Sequence, residues 1–208
     1  MTDPAAVAAA VAASIRAGSD AADAMLDGAY PEAFRRFRPQ HATPVEVAAT
    51  AAAWLAEAGA TRVLDVGAGA GRFCVAGALV TDLAFTGVER RPWLVEAARA
   101  AAGALGASRA RFVCGDVRDV DWAAHDGFYL FNPFAEHHLD EGDCIDLAWP
   151  RGRDGFDADV TFVEDALAAA PSGTPVVTWN GFGGALRDYT CERRAWARHA
   201  WLERWRHR

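Results

Sequence analysis

The sequence contains no lysine. All 21 of its basic residues are arginine, set against 28 acidic ones for a formal net charge of −7. That balance argues against a nucleic-acid partner, which usually shows as a basic surface. The missing lysine, in a chain so rich in alanine, reflects genome composition rather than function. Cysteine is scarce too: Cys74, Cys114, Cys144 and Cys191 are scattered, with no C-x-x-C. This excludes a disulfide framework and a zinc-site spacing. Cys74 and Cys114 fall in expected core elements and read as buried free thiols. No apolar run approaches membrane-spanning length, and no charged N-terminal stretch precedes a long apolar one, so a soluble, cytoplasmic protein is expected. Internal repeats and low-complexity linkers are absent. A chain of 208 residues is then one domain, or one domain with an appendage.

The most informative stretch is Val63-Leu-Asp-Val-Gly-Ala-Gly-Ala-Gly-Arg-Phe73. Val63 to Val66 is a short apolar run ending in glycine, which reads as a buried parallel strand. Gly67, Gly69 and Gly71 permit positive φ and let a ligand approach the backbone. Phe73, Val75, Ala76, Leu79 and Val80 then continue as a helix. A dinucleotide loop wants G-x-G-x-x-G, with a pyrophosphate on the helix N-terminus. Here the third glycine comes one residue early, and Arg72 stands in the dinucleotide glycine's place. Asp65, inside the strand, would repel a pyrophosphate but suits a cationic ligand, directly or through water. The stretch resembles motif I of the class I S-adenosylmethionine (SAM) methyltransferases, whose cofactor carries an amino group, a carboxylate and a sulfonium.

Ahead of this motif, residues 4–17 and 20–28 are alanine-rich and predict two short helices stopped by Gly18 and Gly28. Residues 31–38 add a third. Its basic, aromatic segment 34–38 reads as a solvated face with two core phenylalanines. Thr43 as N-cap, Pro44 as first helical residue and Glu46 closing a capping box predict a helix start. Val47, Ala51, Trp54 and Ala58 form its apolar stripe, and Gly59 ends it. His41 and Thr43 either face the site or only cap and pack. From residue 61 strands and helices alternate over 62–66, 71–80, 83–89, 92–104, 110–114, 127–131, 158–169 and 175–179. Such alternation means a parallel sheet with helices on both faces. The expected division is a helical appendage, 1–60, and a SAM-binding methyltransferase domain, 61–208.

The second strand ends at Glu89, and a carboxylate there can accept both ribose hydroxyls of an adenosine. Arg90 and Arg91 follow, with Trp93 an adenine-stacking candidate or a packing residue. After the third strand comes Gly115-Asp116-Val117. In the resembling family an acid here binds the adenine amine and the next backbone N–H meets a ring nitrogen. The resemblance therefore gives cofactor contacts to Asp65, Gly67, Ala68, Gly69, Gly71, Glu89, Arg90, Asp116, Val117 and Asn132. The fourth strand runs into Asn132-Pro133-Phe134, which is similar to the Asn-Pro-Pro-aromatic motif of amino methyltransferases, with one proline fewer. It also resembles the Asn-Asn-Phe-Ala-Phe segment of the non-SET histone-lysine methyltransferases. In the amino methyltransferases the Asn carbonyl and a proline carbonyl aim the lone pair of a target nitrogen, so Asn132, Pro133 and Phe134 are the implied catalytic group.

Residues 135–157 are acidic and irregular and read as a flap over the substrate, since loops of this length are usually functional or mobile. His137 and His138 lie among acids, but their spacing is not a helix-face ligand pair and class I transfer needs no metal, so none is expected. Residues 189–208 fit an antiparallel hairpin near 189–194 and 200–206, as the resembled fold ends, or a helix on Ala197, Trp201, Leu202 and Trp205. Topology favours the hairpin. The arginines after residue 186 read as a solvated face rather than a substrate patch. The implied protein is an α/β SAM-methyltransferase-type Rossmann-like sandwich with a mostly parallel seven-stranded sheet. It would methylate an amine nitrogen of a protein or small molecule, leaving S-adenosylhomocysteine. The alternatives are a non-catalytic SAM- or nucleoside-binding protein and another transferase on the same fold, such as an aminopropyltransferase.

Overall fold

The computed structural model describes residues 4–35 and 38–208. Five helices come first: α1 (Pro4–Arg16), α2 (Ala22–Asp27), α3 (Glu32–Arg35), α4 (Arg38–His41) and α5 (Val45–Glu57). Then β1 (Arg62–Val66), α6 (Arg72–Val80), β2 (Ala84–Glu89), α7 (Pro92–Ala104), β3 (Ala110–Cys114) and β4 (Gly127–Leu130) alternate. The chain closes with α8 (Arg153–Ala168), β5 (Pro175–Trp179), β6 (Tyr189–Ala197) and β7 (Ala200–His207). The sheet has seven strands in the order β3-β2-β1-β4-β5-β7-β6. β1 to β5 pair in parallel, while β7 runs antiparallel to both β5 and β6. The C-terminal segment is thus the hairpin.

Val63, Leu64, Val66, Phe128 and Leu130 are all buried, as strands covered on both faces must be. One face carries α1, α2, α5, α6 and α7, packed around Phe73, Phe85, Tyr129 and Trp179. The N-terminal helices share this core: Val11, Ile15, Leu26, Tyr30 and Phe34 belong to the same cluster as Val63 and Val177. The other face is covered mainly by α8 through Val160, Val163 and Leu167, with Val117 and Trp122 from the short turns after β3. Because β2 and β3 lie to one side of β1, and β4 and β5 to the other, the strand order reverses between β1 and β4. A crevice opens there beyond the carboxyl ends of the strands.

Several expectations are corrected. The capping box at α5 does not form. Thr43 Oγ1 instead shares a 3.0 Å hydrogen bond with the buried Tyr129 hydroxyl, and Asp23 Oδ1 accepts the Val45 N–H at 3.1 Å. A tertiary partner outcompetes the local cap because the helix start is buried against β4. α8 begins at Arg153, five residues before the expected start, and two single-turn segments, Ala135–His137 and Glu141–Asp143, shorten the irregular loop. Cys114 is exposed at the end of an edge strand, whereas Cys74 and Cys144 are buried. In the segment 34–38, Phe34 is core, while Arg36 and Phe37 lie outside the described residues. Of the late arginines, Arg193 pairs with Glu57 at 2.8 Å, Arg198 with Glu46 at 2.6 Å and Arg206 with Glu192 at 3.1 Å, all partly exposed, in keeping with a solvated face. Among the described residues, no helix is long and apolar enough to cross a membrane.

Candidate active site

The glycine loop forms the floor of the crevice. Gly67, Gly69 and Gly71 all have positive φ, at 72°, 55° and 73°. Two of them are also forced by space. A Cβ on Gly67 would stand 2.7 Å from Pro133 Cβ, and one on Gly71 would strike the Phe112 ring. Gly69 faces open space, so its backbone is the approachable part of the loop. The Ala68 N–H donates to Val88 O at 2.9 Å, which ties the loop to β2.

Asp65 sits beneath the loop, 4% exposed, and accepts a hydrogen bond from the Cys74 thiol at 3.3 Å. Burial pushes its carboxyl up to about 7; the thiol pulls it down, and the nearby Glu89 charge pushes it further up. Arg72 is not a ligand residue. It is buried, donates to Asp23 at 2.5 Å and to Asp27, and reaches Thr43 O through Nε at 3.3 Å. It pins α2 to the start of α6, behind the loop.

Glu89, 6% exposed, ends β2 inside the crevice. Its Oε2 accepts the Gly69 N–H at 3.1 Å; its Oε1 accepts the Arg91 N–H at 2.9 Å and Arg91 Nη1 at 3.2 Å. Arg91 also donates to Glu136 and, through Nε at 3.1 Å, to Asp146. One guanidinium thus gathers three carboxylates, one from the sheet and two from the loop after β4. Sequence reasoning named Arg90 and missed Arg91. The guanidinium of Arg90 lies 5.2 Å from the centre of the Trp149 ring. Trp93 is exposed on α7 and lines no part of the crevice.

Two cavities share the wall made by Gly67, Glu89, Arg91 and Pro133. The narrower, about 30 Å³, lies toward β3 and is lined also by Arg90, Gly115, Asp116, Val117, Phe134 and Asp159. Asp116 caps the short turn Val117–Asp119, taking the Arg118 N–H and Arg118 Nη1 on Oδ1, both at 3.0 Å. Phe134 is buried beside Val117 and belongs to this cavity, not to the larger one.

The larger chamber, about 260 Å³, holds Asn132, with His41, Phe131, Glu136, Asn180 and His199 around it. Asn132 has φ 41°, a left-handed backbone, and its N–H donates to Gly181 O at 3.0 Å. The Asn180 N–H donates to Trp201 O at 3.0 Å, and Trp179 Nε1 to Ala197 O at 3.1 Å. These bonds tie the ends of β4 and β5 to the hairpin turn and bring His199 to the chamber rim. His41 Nε2 donates to the Asp143 carbonyl at 2.8 Å, so the N-terminal helices hold the loop across the crevice. Among the described residues the Asn132 side-chain amide and the Pro133 carbonyl have no hydrogen-bond partner. Among those residues, too, no group of three or more His, Cys, Asp or Glu is placed to hold a metal ion.

Residues 63–148 match a family model described as a methyltransferase domain. No curated protein matches the chain. Among solved structures, an RNA methyltransferase from Salinibacter ruber in complex with S-adenosyl-L-homocysteine is 20% identical, covering 79% of this chain and 92% of that one, with a TM-score of 0.55. The magnesium protoporphyrin IX methyltransferase of Synechocystis PCC 6803 with bound SAM is 11% identical, over 89% and 96%, with a TM-score of 0.59. MtNAS in complex with MTA and tNA is 12% identical, over 98% and 71%, with a TM-score of 0.56. At such identities these likenesses show a shared fold. The match to a methyltransferase domain over residues 63–148 and the fold shared with these S-adenosylmethionine-dependent methyltransferases are what the chain is similar to.

Proposed function

We propose that the chain methylates an amine nitrogen held in the chamber beside Asn132, with SAM bound across the glycine loop. The observation that carries the acceptor assignment is the pair of unengaged acceptors at the end of β4, the Asn132 amide oxygen and the Pro133 carbonyl. Two unengaged acceptors on neighbouring residues suit a donor such as an amine N–H. A neutral amide is no strong base, so Asn132 orients the nitrogen rather than deprotonating it.

The residues present fit the cofactor. Gly69 offers open backbone, Glu89 offers a buried carboxylate to a diol, and Asp116 with the Val117 N–H offers a paired acceptor and donor to an adenine edge. When bound, SAM supplies an electrophilic methyl group on a sulfonium. The chain contributes position and charge: effective concentration and alignment supply much of the rate in such a displacement. Glu89, Glu136 and Asp146 against the single Arg91 leave the crevice net negative, which favours a sulfonium and a cationic amine. The cavity near Asp116 is only about 30 Å³, so a nucleoside entering it displaces side chains, Arg91 foremost because it occupies Glu89. We further assign residues 1–60 to walling the chamber, through Gln40 and His41, and residues 61–208 to cofactor and chemistry.

A second reading is favoured by one observation: the likeness to the MtNAS complex with MTA and tNA extends over 98% of this chain. Transfer of an aminopropyl-type group from SAM would leave 5′-methylthioadenosine instead of S-adenosylhomocysteine. Incubation with methyl-labelled SAM and fractionated cell extract separates the readings. S-adenosylhomocysteine together with label on an amine supports methyl transfer to nitrogen. Label on oxygen or carbon refutes the nitrogen assignment, and methylthioadenosine refutes methyl transfer.

A further inference from the structure

The cavity at the end of β3 holds a second carboxylate. Asp159 comes from α8, 43 residues beyond Asp116 in the sequence, and lines the same small space. The two acids are bridged by one guanidinium: Arg118 Nη1 meets Asp116 Oδ1 at 3.0 Å, and Arg118 Nη2 meets Asp159 Oδ1 at 2.8 Å. Arg118 is itself held over the Phe162 ring and by the Ala158 carbonyl. Asp159 Oδ2 lies 3.2 Å from His137 Nε2. A carboxylate only accepts, so His137 donates from Nε2. Its Nδ1 is buried without a hydrogen-bond partner. The side chain of Asp159 is 14% exposed, on a helix whose sheet-facing positions are Val160, Val163 and Leu167. Helix packing alone does not call for a carboxylate there, and burying one is costly unless it is paired.

We propose that Asp159 is a second adenine-reading residue: together with Asp116 it accepts the two N–H groups of the cofactor's exocyclic amine. This rests on the reading that SAM binds here. An amine of this kind presents two donors, and each left unpaired in a buried site weakens binding. Each carboxylate retains acceptor capacity for one: Asp116 Oδ2 makes no hydrogen bond among the described residues, and each Asp159 oxygen carries a single partner. Arg118 offsets the repulsion between the two acids, and His137 fixes the orientation of Asp159. A base with a carbonyl at the amine's position would meet two carboxylates and be rejected.

Calorimetric binding to the full chain tests this with S-adenosylhomocysteine, its N6-methyl analogue and its inosyl analogue. The wild type should bind the N6-methyl analogue roughly ten- to a hundredfold more weakly than S-adenosylhomocysteine, the range for losing a hydrogen bond to a charged acceptor. Equal affinity would mean that one side of the amine faces no acceptor, and overturns the proposal without any variant. Asp159→Asn should weaken S-adenosylhomocysteine while leaving the inosyl analogue unchanged or improved. A parallel loss for both ligands would mark Asp159 as a support of α8 only, and overturn the reading. Should the wild type bind none of the three, the SAM-site assignment itself fails, and the proposal with it.

Discussion

Asp65 offers the sharpest test of the electrostatics under the glycine loop. It is 4% exposed, its one hydrogen-bond donor is a weak one, the Cys74 thiol, and it faces the Glu89 charge, so its carboxyl rises from 3.8 to about 7. The folded chain therefore holds a proton that the unfolded chain releases. The stabilisation is complete below the unfolded value and is lost as pH rises through about 7. Displacing a buried carboxyl that far corresponds to about 4 kcal/mol once the group is ionised. Asp65→Asn keeps the shape and an acceptor for the thiol but cannot ionise. Urea unfolding of both proteins from pH 4.5 to 8 should show the variant gaining on the wild type by about 3 kcal/mol across that range, most of it before pH 7. A difference that stays constant with pH would refute the argument, because only the titration of Asp65 distinguishes the two chains. A cationic ligand works in the opposite direction, since it favours the ionised form. SAM affinity of the wild type should thus climb as pH rises through 7 and level off above it, and Asp65→Asn should flatten that climb.

Two further outcomes concern the crevice walls. Asn132 has a left-handed backbone, so Asn132→Ala mixes loss of the amide with strain of about 1 kcal/mol; Asn132→Gly removes the amide alone. The glycine variant should keep S-adenosylhomocysteine affinity within a small factor while turnover falls roughly ten- to a thousandfold; full activity would make this turn structural only. Glu89→Ala should weaken cofactor binding by roughly 1.5–3 kcal/mol. It should also lower the melting temperature, because the Gly69 N–H and Arg91 lose a buried partner; unchanged binding in a folded variant would remove Glu89 from the ribose assignment.

The sequence by itself determined the strand, glycine loop and helix at 62–80, the alternation that makes a parallel sheet, and the acids at the ends of β2 and β3. These are local signals: hydrophobic period, positive-φ glycines and helix stops act within a few residues, so tertiary context has little room to overrule them. Even the reason for each glycine divides along this line. The turn at Gly69 is readable in the sequence, but that Gly67 must admit Pro133, 66 positions away, is not. The tertiary structure alone decided which charges meet. Arg91 became the centre of a carboxylate cluster because its partners, Glu136 and Asp146, lie 45 and 55 residues further along the chain. Thr43 left its cap for Tyr129, 86 residues away, and Arg72 left the loop for Asp23 and Asp27. Asp159 reached the cavity beside Asp116 only because α8 folds back over the sheet. A buried ionic or polar side chain takes whatever partner packing delivers, since going without one costs more than any local preference, and packing is a property of the whole fold.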